Sequence, residues 1–132
     1  MIDPKEVIAR YSVEELAETA DQYYRVVSDA TPLMAKPFWF LHETPEALHN
    51  LGLLLGGLQL GKTMTVLDFG AGTCWLSRLL AQMHCRVIAC DTSRAALAIG
   101  ERLLRELPLL GGETEPPRYL WFDGHRIDLP DA

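Results

Sequence analysis

The second half of the chain alternates short apolar runs with helical patterns, and this alternation constrains the possible folds more than any other feature. The runs at 64–69, 86–90 and 118–122 are short and rich in apolar and β-branched residues, which predicts buried strands. Residues 75–83 and 94–107 instead carry apolar residues at helical spacing. Short apolar strands joined by helices predict an α/β fold with a parallel sheet and right-handed crossovers.

The first part of the chain is predicted to contain two helices. Ser12 and Glu15 match a capping box, in which each side chain accepts from the backbone amide of the other residue, so a helix is predicted over 13–29. Thr44 is predicted as the N-cap of the second helix because Pro45 follows it at the first helical position. That helix is expected to end at Gly61 or earlier, since its internal glycines weaken it.

The composition is that of a soluble globular protein, with 48% hydrophobic and 23% charged residues. The 18 acidic and 12 basic residues give a net charge of −6, which disfavours nucleic acid as a partner. Cys74, Cys85 and Cys90 fall in or near predicted core segments, which favours reduced thiols over disulfides. The sequence has no metal-ligand spacing and no run long enough to cross a bilayer. We therefore predict a cytoplasmic protein without a metal site, a membrane segment or a nucleic-acid partner.

An acidic residue stands at or near the end of each predicted strand. In doubly wound α/β folds, ligands lie outside the carboxyl ends of the strands. Gly70 and Gly72 allow a tight turn and close approach of a ligand, and the helix that follows directs its first amides to the same place. Asp91, 19 residues after Gly72, can accept hydrogen bonds from both hydroxyls of a ribose. Asp68 suits a ligand with an amino group, and Asp123 can accept from an exocyclic amine such as that of adenine.

The segments that contain these residues resemble the motifs of class I S-adenosylmethionine (SAM)-dependent methyltransferases. Val66–Thr73 is similar to motif I, commonly acid-x-Gly-x-Gly-x-Gly, and Val87–Ser93 is similar to motif II. Asp123–Ala132 is similar to the segment that follows the third strand. The resemblance covers residues 64–132 and implies a Rossmann-like sheet, partial at about three strands. It departs from the family at Cys74, where a third glycine is common, and this cysteine could narrow the loop.

The resemblance also implies a set of residues that hold SAM. Asp68 would anchor the methionine amino group, through water or by shaping the loop, and Asp91 would bind the ribose. Asp123 would accept from the adenine N6, with the amide of Gly124 near N1. The full implied set is Asp68, Gly70, Ala71, Gly72, Asp91, Thr92, Asp123 and Gly124.

The implied activity is transfer of the SAM methyl group to an acceptor, expected to be a small molecule, with S-adenosylhomocysteine as the other product. Alignment of the reactants and exclusion of water can supply much of the rate, so no catalytic residue is assigned. Residues 1–61 would form an N-terminal helical cap segment, and residues 62–132 an incomplete SAM-binding half-domain. The aromatic residues that could line the pocket, or pack against the helices instead, are Tyr23, Tyr24, Phe38 and Trp39.

The sequence ends before the fourth strand that this family places beside the first one. The chain is therefore expected to be the N-terminal fragment of a longer enzyme, with its first strand at an open edge of the sheet. Because such an edge has unpaired backbone groups, we expect it to pair with another chain or with a rearranged N-terminal segment.

The same residues also fit other interpretations. A non-catalytic SAM-binding fragment that assembles through its sheet edge would carry the same motifs. A nicotinamide-dependent protein is disfavoured by Trp75, which occupies the place of that fingerprint's third glycine or alanine. Residues 56–63 match the phosphate-loop pattern GxxxxGK[ST], but a helix is predicted before them and a strand after them, which inverts the required order.

Each acid also has a purely structural interpretation. Asp68 can cap the helix that follows, and Asp91 can form an Asx turn ahead of Ser93. Asp123 and Gly124 together form a common turn dipeptide. Trp75 is predicted to pack in the protein more readily than to stack on a ligand.

Overall fold

The computed structural model describes residues 5–6, 9–111 and 114–129, which form one parallel sheet with helices before and between its strands. The helices are α1 (Val13–Val26), α2 (Thr31–Met34), α3 (Thr44–Leu58), α4 (Trp75–Gln82) and α5 (Arg94–Glu106). The strands are β1 (Thr65–Phe69), β2 (Arg86–Asp91) and β3 (Arg118–Trp121).

The sheet has the strand order β1-β2-β3, and both neighbouring pairs are parallel. The register pairs Phe69 with Cys90 and Asp91 with Trp121, so the carboxyl ends of the strands meet at one edge. Helix α4 connects β1 to β2, and α5 connects β2 to β3. The predicted α/β class, a partial Rossmann-like parallel sheet, is confirmed.

The core is centred on β2 and the two connecting helices. Val87 packs in a buried cluster with Leu80, Ala81 and Cys85. A second cluster consists of Ala89, Ala71, Cys74 and Leu97, with Tyr119 packed against it. Val87 and Ala89 are two residues apart and therefore lie on the same face of the strand. This face of β2 is the one that the helices cover.

The prediction that the first strand is buried is wrong. Val66 packs against the cluster around Val87, but Leu67 and Phe69 are 42% and 64% exposed. Side chains alternate along a strand, so Leu67 and Phe69 face away from the helices that cover Val66. Strand β1 pairs with β2, and no other strand in the described part of the chain pairs with its outer edge. The expected open edge is therefore present.

The N-terminal segment is helical, with one predicted cap confirmed and one wrong. Ser12 and Glu15 form the predicted capping box at the start of α1, which ends at Val26 rather than near residue 29. Helix α3 begins at Thr44, and its N-cap is Glu43. The Thr44 hydroxyl donates to the carbonyls of Pro37 and Phe40 instead of accepting from the helix. Among the described residues, no helix combines the length and apolar character needed to span a bilayer.

Candidate functional site

The glycine loop after β1 is held directly against the end of β2. The amides of Gly70 and Ala71 both donate to the carbonyl of Cys90, at 2.8 and 3.0 Å. Gly70 and Gly72 have positive φ values of 75° and 53°. Such values suit glycine because it lacks a Cβ. The predicted tight turn is thus present, and its backbone lies beside the second strand.

Asp91 connects this loop to the turn after β2. Its Oδ2 accepts from the amide of Gly72 at 2.7 Å, and its Oδ1 accepts from the amide of Ser93 at 2.8 Å. The second contact is the Asx turn considered for this residue. The first contact spans 19 positions and brings the two motif segments into one arrangement. The side chain is half-buried.

Asp68 lies near the end of β1 and contacts the first turn of α4. Its Oδ2 accepts from the hydroxyl of Ser77 at 2.5 Å, and Ser77 is fully buried. Asp68 itself is half-buried. The carboxylate therefore fixes the loop against the first turns of α4.

Cys74 occupies a position that favours glycine. It is the N-cap of α4 and has a left-handed φ of 59°, which costs a residue with a Cβ more than it costs glycine. Its thiol is 1% exposed and packs against Gly100 of α5, where an added Cβ would lie 2.6 Å from Cys74 Sγ. Burial, with Asp68 and Asp91 nearby, raises the pKa of this thiol to about 12. The side chain is thus accommodated against α5, by a glycine that sequence reasoning did not single out.

Asp123 forms a turn after β3. Its Oδ1 accepts from the amides of His125 and Arg126, at 2.9 and 3.0 Å, and these bonds hold the pKa of this exposed carboxyl below its ordinary value. Gly124 has a φ of 93°, and a Cβ there would collide with Val13 of α1. The predicted site segment continues to Ala132, but Pro130–Ala132 lie outside the described residues.

Thr92 lies between the ends of β2 and β3. Its carbonyl accepts from the indole nitrogen of Trp121 at 2.8 Å. The guanidinium of Arg94 stacks over the same indole, 3.7 Å from the ring centroid. These contacts fix the turn that carries Thr92 against the third strand.

Helix α1 contacts the same region through Tyr24 and through Asp21, which sequence reasoning did not assign to the site. Asp21 is 7% exposed and accepts from the hydroxyl of Ser93 and the amide of Ala95, both at 2.9 Å. Tyr24, a predicted lining residue, has its hydroxyl 3.4 Å from where a Cβ on Gly72 would lie. Burial, followed by the nearby Asp91, raises the pKa of Tyr24. No local sequence signal marks Asp21, because its partners lie 72 and 74 positions away.

Of the other predicted lining aromatics, Tyr23 adjoins Tyr24 on α1, and Phe38 and Trp39 lie farther along the chain. Phe38 and Trp39 are exposed, and Tyr23 packs edge-on against Tyr24. A cavity of about 240 Å³ is lined mainly by apolar and aromatic side chains of α2, α3, their connection and α4. Its lining includes Pro32, Leu33, Pro37, Trp39, Phe40 and Trp75. The hydroxyl of Thr73 donates to the carbonyl of Leu33 at 3.3 Å, which connects this lining to the residue that follows the glycine loop.

The phosphate-loop pattern at 56–63 has the inverted context that the sequence predicts. Gly56 and Gly57 lie inside α3, and β1 follows the pattern at Thr65. A phosphate loop requires a strand before it and a helix after it, so that helix amides converge on the phosphate. The arrangement here lacks that order.

A comparison with models of protein families agrees with this geometry. Residues 67–132, half of the chain, match a family model described as a methyltransferase domain. The matched segment contains the glycine loop, Asp91 and Asp123. Comparisons with curated proteins and with solved structures gave no significant match. With its three-stranded parallel sheet and this match over half its length, the chain belongs to the class I SAM-dependent methyltransferase family.

Proposed function

We propose that the chain binds SAM across the carboxyl ends of β1, β2 and β3 and serves methyl transfer to a small-molecule acceptor. The hydrogen bond between Asp91 and the amide of Gly72 carries this proposal. This bond fixes the acid at the end of β2 against the glycine loop after β1. A ligand made of a nucleoside joined to an amino acid would need the acid for its ribose and the loop for its amino-acid portion. Family membership supports SAM as the ligand.

Asp91 is proposed to bind the ribose. A carboxylate offers about four lone-pair sites, and two are used by the amides of Gly72 and Ser93. About two remain for the ribose hydroxyls. Because the hydrogen bonds from these two amides already fix the carboxylate, the Asp91 side chain would lose little conformational entropy when the ribose binds.

Asp68 and the loop of Gly70 to Gly72 are proposed to hold the methionine portion. The bond from Ser77 favours a role for Asp68 in shaping the loop and in supplying negative charge near the ligand's amino group. SAM would supply an electrophilic methyl group on a sulfonium centre. The chain's own contribution would be to orient that group and to exclude water.

Asp123, Gly124 and Thr92 are proposed to surround the adenine. Both turn amides donate to Oδ1 of Asp123, so Oδ2 is the oxygen proposed to accept from the adenine amino group. The positive φ of Gly124 brings backbone close to the same place without a side chain.

The aromatic-lined cavity beside Trp75 supports a small, largely apolar acceptor. Ligand sites are commonly concave and lined by aromatic and apolar groups with few charges. Lys36 and Glu43 are the charged residues in this lining. The net charge of −6 further favours a small molecule over nucleic acid.

Calorimetric titration of the protein with S-adenosylhomocysteine tests the proposal, with NAD and ATP titrated in parallel. We expect saturable binding of S-adenosylhomocysteine alone, and its loss in Asp91→Ala. Glu46→Ala, an acid-to-alanine change at an exposed position of α3, should leave binding unchanged. Folding of each variant is checked by circular dichroism.

Two results would count against the proposal. Binding of NAD or ATP by a folded sample that ignores S-adenosylhomocysteine would overturn the assignment of the ligand. Unchanged binding in Asp91→Ala would overturn the assignment of the ribose site to the end of β2.

A further inference from the structure

Asp21 is a buried carboxylate in the middle of α1, outside the segment that matches the family model. Its Oδ1 accepts from the hydroxyl of Ser93 and from the amide of Ala95, each at 2.9 Å. Its Oδ2 pairs with Arg25, one turn later on α1, at 2.6 Å. A carboxylate buried to this degree is costly unless it is hydrogen-bonded or paired, and here both oxygens are satisfied.

The contacts of Asp21 continue directly into the proposed ribose site. Ser93, which donates its hydroxyl to Asp21, also donates its amide to Asp91 at 2.8 Å. Asp91 in turn accepts from the amide of Gly72. A continuous set of hydrogen bonds therefore runs from α1 through the turn after β2 to the glycine loop.

Charge favours this arrangement. The carboxylate of Asp21, although carried by α1, lies against the first turn of α5. There the helix's unpaired amides and its dipole stabilise a negative group. The amide of Ala95, then the hydroxyl of Ser93 and the charge of Arg25, hold the pKa of Asp21 below its ordinary value. The carboxylate is thus ionised at neutral pH and acts as a hydrogen-bond acceptor from both partners.

We infer that Asp21 is a positioning residue of the cofactor site, which acts through Ser93 to hold Asp91 in the orientation that binds the ribose. This inference rests on the proposed function. Without Asp21, the Ser93 hydroxyl and the Ala95 amide lose a buried acceptor, and the turn that carries Asp91 relaxes to recover hydrogen bonds. Helix α1 is then a working part of the site rather than a separate covering segment.

A double-mutant cycle on the affinity for S-adenosylhomocysteine tests the inference, with Asp21→Ala, Asp91→Asn and the double variant. Asp21→Ala should weaken binding by about tenfold, within the range for residues of one hydrogen-bond network. In the Asp91→Asn background the same change should weaken it by no more than about twofold, because Asp21 acts through Asp91. Glu18→Gln, an exposed acid one turn earlier on α1, should have no effect in either background.

Asp21→Asn guards against a variant that fails to fold, since its amide oxygen can still accept from Ser93 and Ala95. It should keep affinity within about threefold of wild type and lose less than Asp21→Ala. Amide exchange in the absence of ligand adds an independent measurement. Asp21→Ala should speed exchange at Ser93 and Gly72 more than at the amides of β2 that pair with β1.

Additive effects of Asp21→Ala and Asp91→Asn, or unchanged exchange at Ser93 and Gly72, would overturn the inference. If the wild type bound no S-adenosylhomocysteine, the proposed function would fall, and the cofactor part of this inference with it. The exchange rates would then still show whether Asp21 holds Asp91 in place, so the two failures are distinguishable.

Discussion

At the scale of single residues, the pair Cys74 and Gly100 explains how this chain departs from the family motif. Cys74 keeps the left-handed backbone that suits a glycine, and its side chain is placed against α5. Gly100 provides the space, since a Cβ there would come within 2.7 Å of both Cys74 Cβ and Sγ. A helix glycine in α5 thus leaves room for a cysteine where the family motif commonly has a third glycine.

Gly100→Ala should therefore destabilise the fold, although alanine is the better helix former. The gain in helix propensity is about 1 kcal/mol, whereas overpacking in a core costs about 1–3 kcal/mol. Adding Cys74→Gly should restore stability, because it removes both atoms that clash and suits the positive φ. Urea unfolding of the two single variants and the double variant measures this. A Gly100→Ala protein as stable as wild type would contradict the packing argument.

The buried thiol gives a second prediction at this scale. Cys74 is 1% exposed and its pKa is raised to about 12, so the thiolate that reacts with alkylating reagents is scarce at neutral pH. Iodoacetamide at pH 7.5 should modify Cys74 only at the rate at which the protein unfolds. The Asp91→Ala variant should not label Cys74 rapidly either. Peptide mass spectrometry after timed labelling checks this, with urea-unfolded protein as the fully reactive reference. Rapid labelling of the folded protein would show that the thiol is open to solvent.

At the scale of elements, helix α1 is attached to the segment after β3 by an exposed ion pair. Nε2 of His125 lies 2.6 Å from Oε1 of Glu14. The hydrogen bond to Glu14 raises the pKa of His125 above 6.5, and the same bond lowers the pKa of Glu14 below 4.5. The pair thus contributes fully between those two reference values. Its contribution falls above pH 6.5 as His125 deprotonates, and below pH 4.5 as Glu14 protonates.

We expect the melting temperature of wild type to fall more than that of His125→Gln between pH 6 and pH 8. The difference should be small, because exposed ion pairs contribute little and salt screens them. His49→Gln, the same change on α3, should follow the wild-type pH dependence. Scanning calorimetry at low and high salt checks both points. A pH dependence identical in wild type and His125→Gln would mean that the ion pair does not hold α1 in solution.

The elements were more predictable from sequence than their contacts. The capping box of Ser12 and Glu15 and the bounds of α4 and α5 are local patterns, and they are present as predicted to within a residue at the helix ends. Thr44 was wrong as a cap because its hydroxyl finds carbonyls of the preceding loop. The chain positions of Asp68, Asp91 and Asp123 followed from strand ends, whereas the role of Asp21 depends on residues more than 70 positions away. No short pattern encodes such a contact.

At the scale of the whole molecule, the described residues form a sheet with helices on one face and an edge at β1 that no described strand covers. The backbone groups along that edge can template pairing with another strand. Leu67 and Phe69 are exposed on the uncovered face of the same strand, and the ring of Phe69 lies 5.3 Å from the ring of Phe122, which is buried. Charged side chains often protect edge strands from pairing. In β1 the one charged residue is Asp68, and its carboxylate accepts a hydrogen bond from Ser77.

We therefore expect the protein to associate with a second copy through β1 as its concentration rises. Leu67→Lys should weaken this association, because a charge on the exposed face of an edge strand opposes pairing while leaving the helix-covered face intact. Leu110→Lys makes the same change at an exposed loop position and should have no effect. Sedimentation velocity from micromolar to millimolar concentrations measures the equilibrium for all three proteins. A wild type that stays monomeric throughout, or equal loss of association in both variants, would show that β1 is not the contact.

If Leu67→Lys alone became monomeric and kept its affinity for S-adenosylhomocysteine, pairing at the edge would be independent of the cofactor site, since Leu67 lies on the face opposite Val66 and the helices.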